Sequence, residues 1–325
     1  MPRVSLRALA WTTLVSTFVL NLQGTLLRAT GSGDGCGTDW PTCHGEVVPV
    51  DPELATLLEF GHRLLTVAVG LVLLVAAVRR RREHPGVLAA VVVAAVFFVA
   101  QSLVGAWTVV AGLTGESTDP LRAFVLPLHL VNSFSQLGAL TLAVLYAGPR
   151  PPGRWRAAGR GATALVLAAS TVAFYALVFT GGIAALGDLF APVDSVAEGI
   201  ALDFSPEAPL VVRVRVLHPF LGAVLGAGLL VAAATVTGLR RTPEVTRAGA
   251  QLGAVYLVQL GVGTWNLLAL APLPLSLAHQ ALAMVAFALF VRLVAVALGA
   301  GRGAGPDGPV DAAEAEADPA APTTR

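Results

Sequence analysis

The sequence predicts an all-α integral membrane protein of eight transmembrane helices, arranged as two pseudo-symmetric four-helix bundles. Three observations predict it. The 325 residues are 55% hydrophobic and only 13% charged, with a mean hydropathy of +0.75, far from the quarter-charged composition of soluble domains. Eight predominantly apolar stretches are each long enough to cross a bilayer as a helix, and their continuous Ala, Leu and Val runs lack the ten-residue alternation of a barrel. The chain also repeats itself: QSLVGAW from Gln101 and QLGVGTW from Gln259 share a Q-x-x-x-G-x-W pattern.

The first stretch, 8–27, begins like a signal peptide but has no clear small-residue cleavage site, and its Asn21 and Gln23 suit a span packed inside a bundle, so it is read as retained. The loop GSGDGCGTDWPTCHGEVVP follows, with both cysteines of the chain. Its Gly, Asp and Pro residues permit the chain reversal that a short Cys36–Cys43 bridge needs in an oxidising compartment. Two unpaired thiols, or a redox-active pair exchanging with partner thiols, remain open at this point. Span 55–78 carries Glu59, His62 and Arg63; span 87–112 carries Gln101 and Trp107; span 122–147 carries His129. Spans 162–182, 211–238, 246–270 and 274–298 form the second half, with Arg215, His218, Pro219, Gly222 and Gly226 in the sixth, Gln259 and Trp265 in the seventh and His279 in the eighth. The division expected is 1–150 and 151–300, followed by an acidic, Ala/Gly/Pro-rich tail over 301–325 that is too polar to bury a core.

All 21 basic residues are Arg against 20 acids, a net charge of +1 that gives no reason to expect a nucleic-acid partner. Their placement is more informative. Arg79 to Arg82, then Arg150, Arg154, Arg156 and Arg160, then Arg240, Arg241 and Arg247 fall in alternate connections, which therefore face the cytoplasm of a plasma-membrane protein with both termini inside. The other connections, including Asp34, Glu116, Asp188 and Asp203, lie outside.

Each half has one His in its second span and one in its fourth: His62 and His129, then His218 and His279. All four spans start on the outer side, and each His lies roughly 10 Å in at 1.5 Å per residue. Second and fourth helices of an up-down bundle run parallel across a diagonal, so two imidazoles at one depth can clamp a haem iron from both faces. Packing histidines are the plainer reading of any single one, but four at equal depth in repeated positions favour ligation. Zinc fits less well, since a His pair supplies too few ligands for a closed tetrahedral site. His44 and His84 lie in polar loops and are read as solvated. Gly222 and Gly226 permit close approach of a helix or a flat ring, Gln101 and Gln259 suit hydrogen bonds between helices or to a ligand, and Trp107 and Trp265 suit interfacial anchors. The halves differ three residues before the first His: Glu59 in one, Arg215 in the other. Glu59 suits proton relay or stabilisation of a developing cation, or simply an i, i+4 pair with Arg63; Arg215 suits a haem propionate.

The residues EFGHR at Glu59 to Arg63, the preceding RATGSG from Arg28, the C-x6-C outer loop and the repeated His spans resemble the haem A synthase family over nearly the whole chain except the tail. The resemblance implies an oxidoreductase that converts haem O to haem A, taking the porphyrin C8 methyl to a formyl group for cytochrome oxidase assembly. It implies a substrate haem O site near His62, His129 and Arg63 with Glu59 required for oxidation, and a haem b cofactor ligated by His218 and His279. It further implies a haem O synthase upstream as partner and an electron donor, a quinol or another reductant, that the sequence does not specify; a homo-oligomer is left open. One departure is Pro219, which stands after His218 where Arg63 stands after His62. The rival reading is a di-haem b electron-transfer protein resembling a quinol oxidoreductase anchor. A duplicated transporter with proton-relay histidines is a further alternative, disfavoured because the histidines lie outward of midplane and the helices read as unbroken.

Overall fold

The computed structural model describes residues 5–79, 85–115, 117, 119–153, 155 and 159–299. The arginines at 80, 81, 82, 154 and 156, with His84, Glu116 and the acidic tail from 301, lie outside the described residues.

Ten α-helices follow in chain order among the described residues: α1 Leu6–Ala29, α2 Leu54–Arg79, α3 Pro85–Val110, α4 Arg122–Tyr146, α5 Gly161–Phe190, α6 Val196–Asp203, α7 Leu210–Val214, α8 Leu217–Leu239, α9 Pro243–Leu268 and α10 Leu273–Leu298. Starts are set by local chemistry. Ser5 accepts from Ala8 N–H at 3.1 Å to cap α1, and Thr242 caps α9 ahead of Pro243, whose missing N–H costs nothing in a first turn. Ser195 accepts from Glu198 N–H while the Glu198 carboxylate accepts from Asp194 N–H, a reciprocal cap on α6.

Among the described residues six spans are long and apolar enough to cross a membrane: α2, α3, α4, α5, the α7–α8 stretch Leu210–Leu239, and α10. The chain is thus a multi-pass helical membrane protein. α1 and α9 have 24 and 26 residues, about 36 Å or more at 1.5 Å per residue, so they match the others in length. They fall short in apolarity because α1 carries Arg7, Asn21, Gln23 and Arg28, and α9 carries Glu244, Arg247, Gln251, Gln259 and Asn266.

The expectation of unbroken helices is corrected at one place. The sixth predicted span is split between α7 and α8 immediately before His218. Pro219 is the cause: it has no N–H, and its ring would clash with the carbonyl four residues back, that of Arg215. Arg215 C=O instead accepts from His218 N–H at 3.1 Å, a tighter turn. The break lies near the start of the Leu210–Leu239 stretch, not at its centre. Pro127 lies inside α4, and its ring packs on Gly182 of α5, where an added Cβ would come within 3.0 Å of Pro127 Cα. α5 also runs eight residues beyond its expected end, to Phe190, carrying Asp188 with it.

Neighbouring helices close two rings. α1, α2, α3 and α4 touch in sequence and α4 returns to α1; α5, α8, α9 and α10 do the same. The rings meet through α4 with α5, α4 with α10 and α1 with α10. One buried cluster, including Leu73, Val87, Ala94 and Leu140, fills the first ring, and a larger one around Phe174, Leu252, Phe287 and Phe290 fills the second and reaches Phe134 on α4. Lipid tails are as apolar as these side chains, so association rests on close packing and interhelical hydrogen bonds. The seam shows it: Phe287 meets Phe134 and Phe174 edge-on at 5.4 Å each, and Gly138 leaves room for it, since a Cβ there would lie 3.1 Å from the Phe287 ring.

Gly138→Leu is therefore expected to lower the thermal unfolding midpoint in detergent by several degrees, through overpacking of about 1–3 kcal/mol. Gly228→Ala, where nothing stands within 4 Å, serves as the comparison and is expected to leave the midpoint unchanged.

Candidate functional site

The four intramembrane histidines share one local arrangement. His62 on α2 places its Cε1 against Gly24 of α1, His129 on α4 against Gly105 of α3, His218 on α8 against Gly181 of α5, and His279 on α10 against Gly263 of α9. A Cβ on these glycines would lie 3.4, 3.5, 3.0 and 2.6 Å from the respective imidazole carbons. Each histidine thus sits edge-on to a glycine of a neighbouring helix; an added methyl would collide with the ring at Gly263, crowd it at Gly181 and make ordinary contact at Gly24 and Gly105. Gly105 and Gly263 are the glycines of the repeated Q-x-x-x-G-x-W pattern, which is thereby explained as a seat for an imidazole. Gly24 and Gly181 were not singled out from the sequence; the signal available was a polar residue directly before each, Gln23 and Thr180.

In the second ring His218 and His279 face each other with ring centroids 6.1 Å apart. Thr180 Oγ1 lies 3.3 Å from His218 Nδ1, and Gln259 Nε2 lies 3.3 Å from His279 Nε2. The Nδ1 atoms of His62, His129 and His279 are buried with no hydrogen-bond partner, as is Gln259 Oε1. Such atoms cost free energy unless a ligand satisfies them. An imidazole nitrogen stands about 2 Å from a bound metal, so two imidazoles on opposite sides of one iron have centroids roughly 6 Å apart, close to the separation seen here. The residues therefore fit a bis-imidazole haem. Among the described residues no group of three or more His, Cys, Asp or Glu side chains gathers into a metal site of another kind.

The small residues beside His218 divide. Gly226 is a helix-packing position, where a Cβ would lie 3.1 Å from both Tyr256 and Leu260 of α9, whereas Gly222 has nothing within 4 Å and borders open space. Gln101 bonds between helices, donating to Ser133 Oγ at 2.5 Å and accepting from Asn132 Nδ2 at 2.7 Å. Trp107 and Trp265 are 47% and 62% exposed, directed away from the ring interiors.

At one end of the first ring the loop between α1 and α2 is locked onto α2. Cys36 and Cys43 are bridged, and both are fully buried. Burial of both sulfurs leaves no access for a partner thiol, which favours a structural role over exchange. Glu59 is 3% exposed; its Oε2 accepts from Cys36 N–H at 2.8 Å and its Oε1 from Arg63 Nη2 at 2.5 Å. Arg63 Nη1 donates to Thr42 C=O at 2.6 Å, and Thr56 Oγ1 donates to Gly35 C=O at 2.6 Å. A Cβ on Gly35 would lie 2.3 Å from the Ala55 backbone, so glycine is what lets the loop rest on the helix start. The i, i+4 pairing of Glu59 with Arg63 is formed, and it fixes Arg63 between the carboxylate and the loop carbonyls.

Arg215 corrects an expectation. Its Nε donates to Asp203 Oδ1 at 2.6 Å, and its other nitrogens reach Asp188 Oδ1 and the carbonyls of Gly187, Ala191 and Gly199. It clamps α5, α6 and α7 together, committing its guanidinium to protein acceptors instead of the propionate expected. Two arginines whose roles were missed from the sequence tie the rings together at the same end as this loop. Arg28 Nη1 donates to Ala185 C=O of α5 at 2.6 Å, and Arg122, 2% exposed, stacks 5.3 Å over the Phe190 ring.

Two helical rings, each with two buried histidines set against glycines, and a carboxylate held under a disulfide-bridged loop define a multi-pass helical membrane protein. The chain belongs to the COX15-CtaA family of cytochrome oxidase assembly proteins, whose profile matches residues 7–291. It is 38% identical over 287 residues to a protein of Thermus thermophilus named Protoheme IX farnesyltransferase, covering 87% of this chain and 47% of that one. It is 33% identical over 139 residues to a Heme A synthase of Exiguobacterium sibiricum, covering 42% of this chain and 45% of that protein. With a Heme A synthase of Halalkalibacterium halodurans the match is 29% over 184 residues, 54% of this chain and 58% of that protein. The chain thus spans about half the length of the curated relatives it matches.

Arg63→Met removes one partner of a buried carboxylate and is expected to lower stability by about 3 kcal/mol. The double variant Glu59→Gln with Arg63→Met should cost less than Arg63→Met alone, because no unpaired charge remains; unfolding in detergent by intrinsic fluorescence checks both.

Proposed function

We propose that this protein is a haem A synthase, oxidising the C8 methyl of haem O to a formyl group. The observation that carries the reading is the arrangement of two imidazoles per ring, each against a glycine of a neighbouring helix, with a buried carboxylate, Glu59, one turn from a histidine in the first ring and Arg215 at the matching place in the second. His218 and His279 hold a haem b, which when bound supplies one-electron transfer. His62 and His129 hold the substrate ring below the outer loop. The net change balances with dioxygen as the four-electron oxidant, R–CH3 + O2 giving R–CHO + H2O; passage through the alcohol and then the geminal diol, which loses water, reaches the same product.

Glu59 is the residue placed to serve that oxidation. Its two oxygens are held by Cys36 N–H and Arg63, three residues from His62 on the same helical face. It can accept a proton from the reacting edge or stabilise a developing cation there, and the closed loop above keeps water from the site. Arg63 acts on substrate through Glu59 and the loop. An electron-transfer module would have no use for a carboxylate in one half only, which favours the oxidative reading over the di-haem one.

Eight spans, two duplicated bundles over 1–150 and 151–300, and both termini in the cytoplasm complete the reading. The two closed rings, the four glycine seats and the shared length of α1 and α9 support it. The Thermus protein joins a region similar to this chain with a name that describes farnesyl transfer to protohaem, which supports a haem O synthase as upstream partner.

Co-expression with a haem O synthase is expected to yield haem A in extracted membranes, and Glu59→Ala to abolish it while haem b stays bound. His218→Ala or His279→Ala should each remove the low-spin haem b absorbance. Gly263→Ala, which places a methyl 2.6 Å from the His279 ring, should weaken that absorbance without touching a ligand. Wild-type protein that purifies with two haems b and leaves haem O unmodified under aerobic conditions overturns the enzyme reading.

A further inference from the structure

An open cleft of about 360 Å³ lies where the two rings meet, lined by Val19, Leu22, Gln23 and Leu26 of α1, Leu65 of α2 and Leu277 of α10. Its walls are aliphatic except for Gln23. The Oε1 of that side chain is buried and has no hydrogen-bond partner. The cleft is also adjacent to the substrate ring position: Gln23 precedes Gly24, the seat of His62, and Leu65 lies one turn beyond His62 on α2.

Two axial imidazoles fix the plane and height of a porphyrin but leave it free to turn about the axis through the iron. A haem carries several methyl groups on its rim, and oxidation of one alone requires that this rotation be stopped. Haem O differs from protohaem in a hydroxyethyl-linked isoprenoid tail, an apolar chain with a single hydroxyl where it joins the ring. We propose that the cleft between α1, α2 and α10 takes this tail, with Gln23 Oε1 accepting a hydrogen bond from the tail hydroxyl, so that the tail sets which methyl faces Glu59. The assignment rests on the haem O reading of the first ring.

The chemistry of the cleft matches in both parts. Aliphatic walls bury an isoprenoid chain favourably, and a solitary buried acceptor beside the histidine is satisfied by a solitary hydroxyl beside the ring. A lipid acyl chain would fill the walls equally well but brings no donor to that depth, and would leave Gln23 Oε1 unpaired. Opening toward the membrane also suits a tail that is itself membrane-soluble and enters laterally.

The test uses the purified full-length protein, carrying haem b in its second ring, titrated with haem O and separately with protohaem, followed by Soret absorbance and tryptophan quenching. Wild type is expected to bind haem O at least about tenfold more tightly than protohaem, a difference that the buried tail readily supplies. Leu22→Trp, which fills the cleft, should bring the two affinities together. Gln23→Leu, which keeps the volume and removes the acceptor, should weaken haem O about fivefold and leave protohaem unchanged. The haem b spectrum reports that each variant is folded. Loss of affinity for both ligands alike, retention of the full preference in Leu22→Trp, or a phospholipid still held in the cleft by native mass spectrometry after saturation with haem O overturns the tail assignment while leaving the substrate reading in place. Failure of wild type to bind haem O at all overturns both.

Discussion

The constraint on which the rest depends is that four imidazoles sit within the membrane region with few groups to answer them. Water would satisfy them in a soluble protein; among apolar helices the alternatives are a neighbouring side chain or a ligand. His218 has Thr180 and His279 has Gln259, while the Nδ1 atoms of three of the four histidines are left without a partner. Glycines at 24, 105, 181 and 263 bring each helix pair close enough to hold its ring edge-on. The helix pairs, the rings they close and the seam between rings follow from satisfying that geometry four times.

The first ring adds a second device. Its outer loop is bound to α2 at Gly35, Cys36 and Thr42, through Thr56, Glu59 and Arg63, and the bridge between Cys36 and Cys43 holds the contact points of the loop in one short segment. The carboxylate is therefore positioned by a backbone N–H that the disulfide itself immobilises. In the second ring the corresponding residue, Arg215, is consumed in joining α5, α6 and α7. One ring has a buried carboxylate beside its histidines and the other a structural clamp, a chemical asymmetry between otherwise similar helical rings.

Much of this was legible in the sequence because membrane helices announce themselves by length and apolarity, and because intramembrane histidines are rare enough to count. The Cys36–Cys43 bridge was the favoured reading of the loop's turn residues and compartment, and the Glu59–Arg63 pair was one of the alternatives that i, i+4 spacing offered; both are formed. What was not legible depended on distant partners. The roles of Arg28, Arg122 and Arg215 are set by carbonyls and an aromatic ring on other helices, which no local pattern reveals. The glycine seats were visible only at Gly105 and Gly263, where repetition drew attention to them. The break before His218 had its cause in plain view, since Pro219 removes a donor and crowds the carbonyl of Arg215, but apolarity alone gives no weight to a single residue.

α4 is the helix that belongs to both rings. It completes the first, touches α5 and α10 of the second, and over its apolar window 56% is buried within the protein, against 17% for α2 and 22% for α3. His129 is therefore carried on a helix that meets little lipid, with Pro127, Phe134 and Gly138 engaged against the other ring. A thinner or thicker bilayer tilts helices that are exposed to it, and here those are the peripheral ones. His129 is consequently anchored by the other ring, whereas His62 and His218 ride on helices that are 17% and 22% buried over their apolar windows.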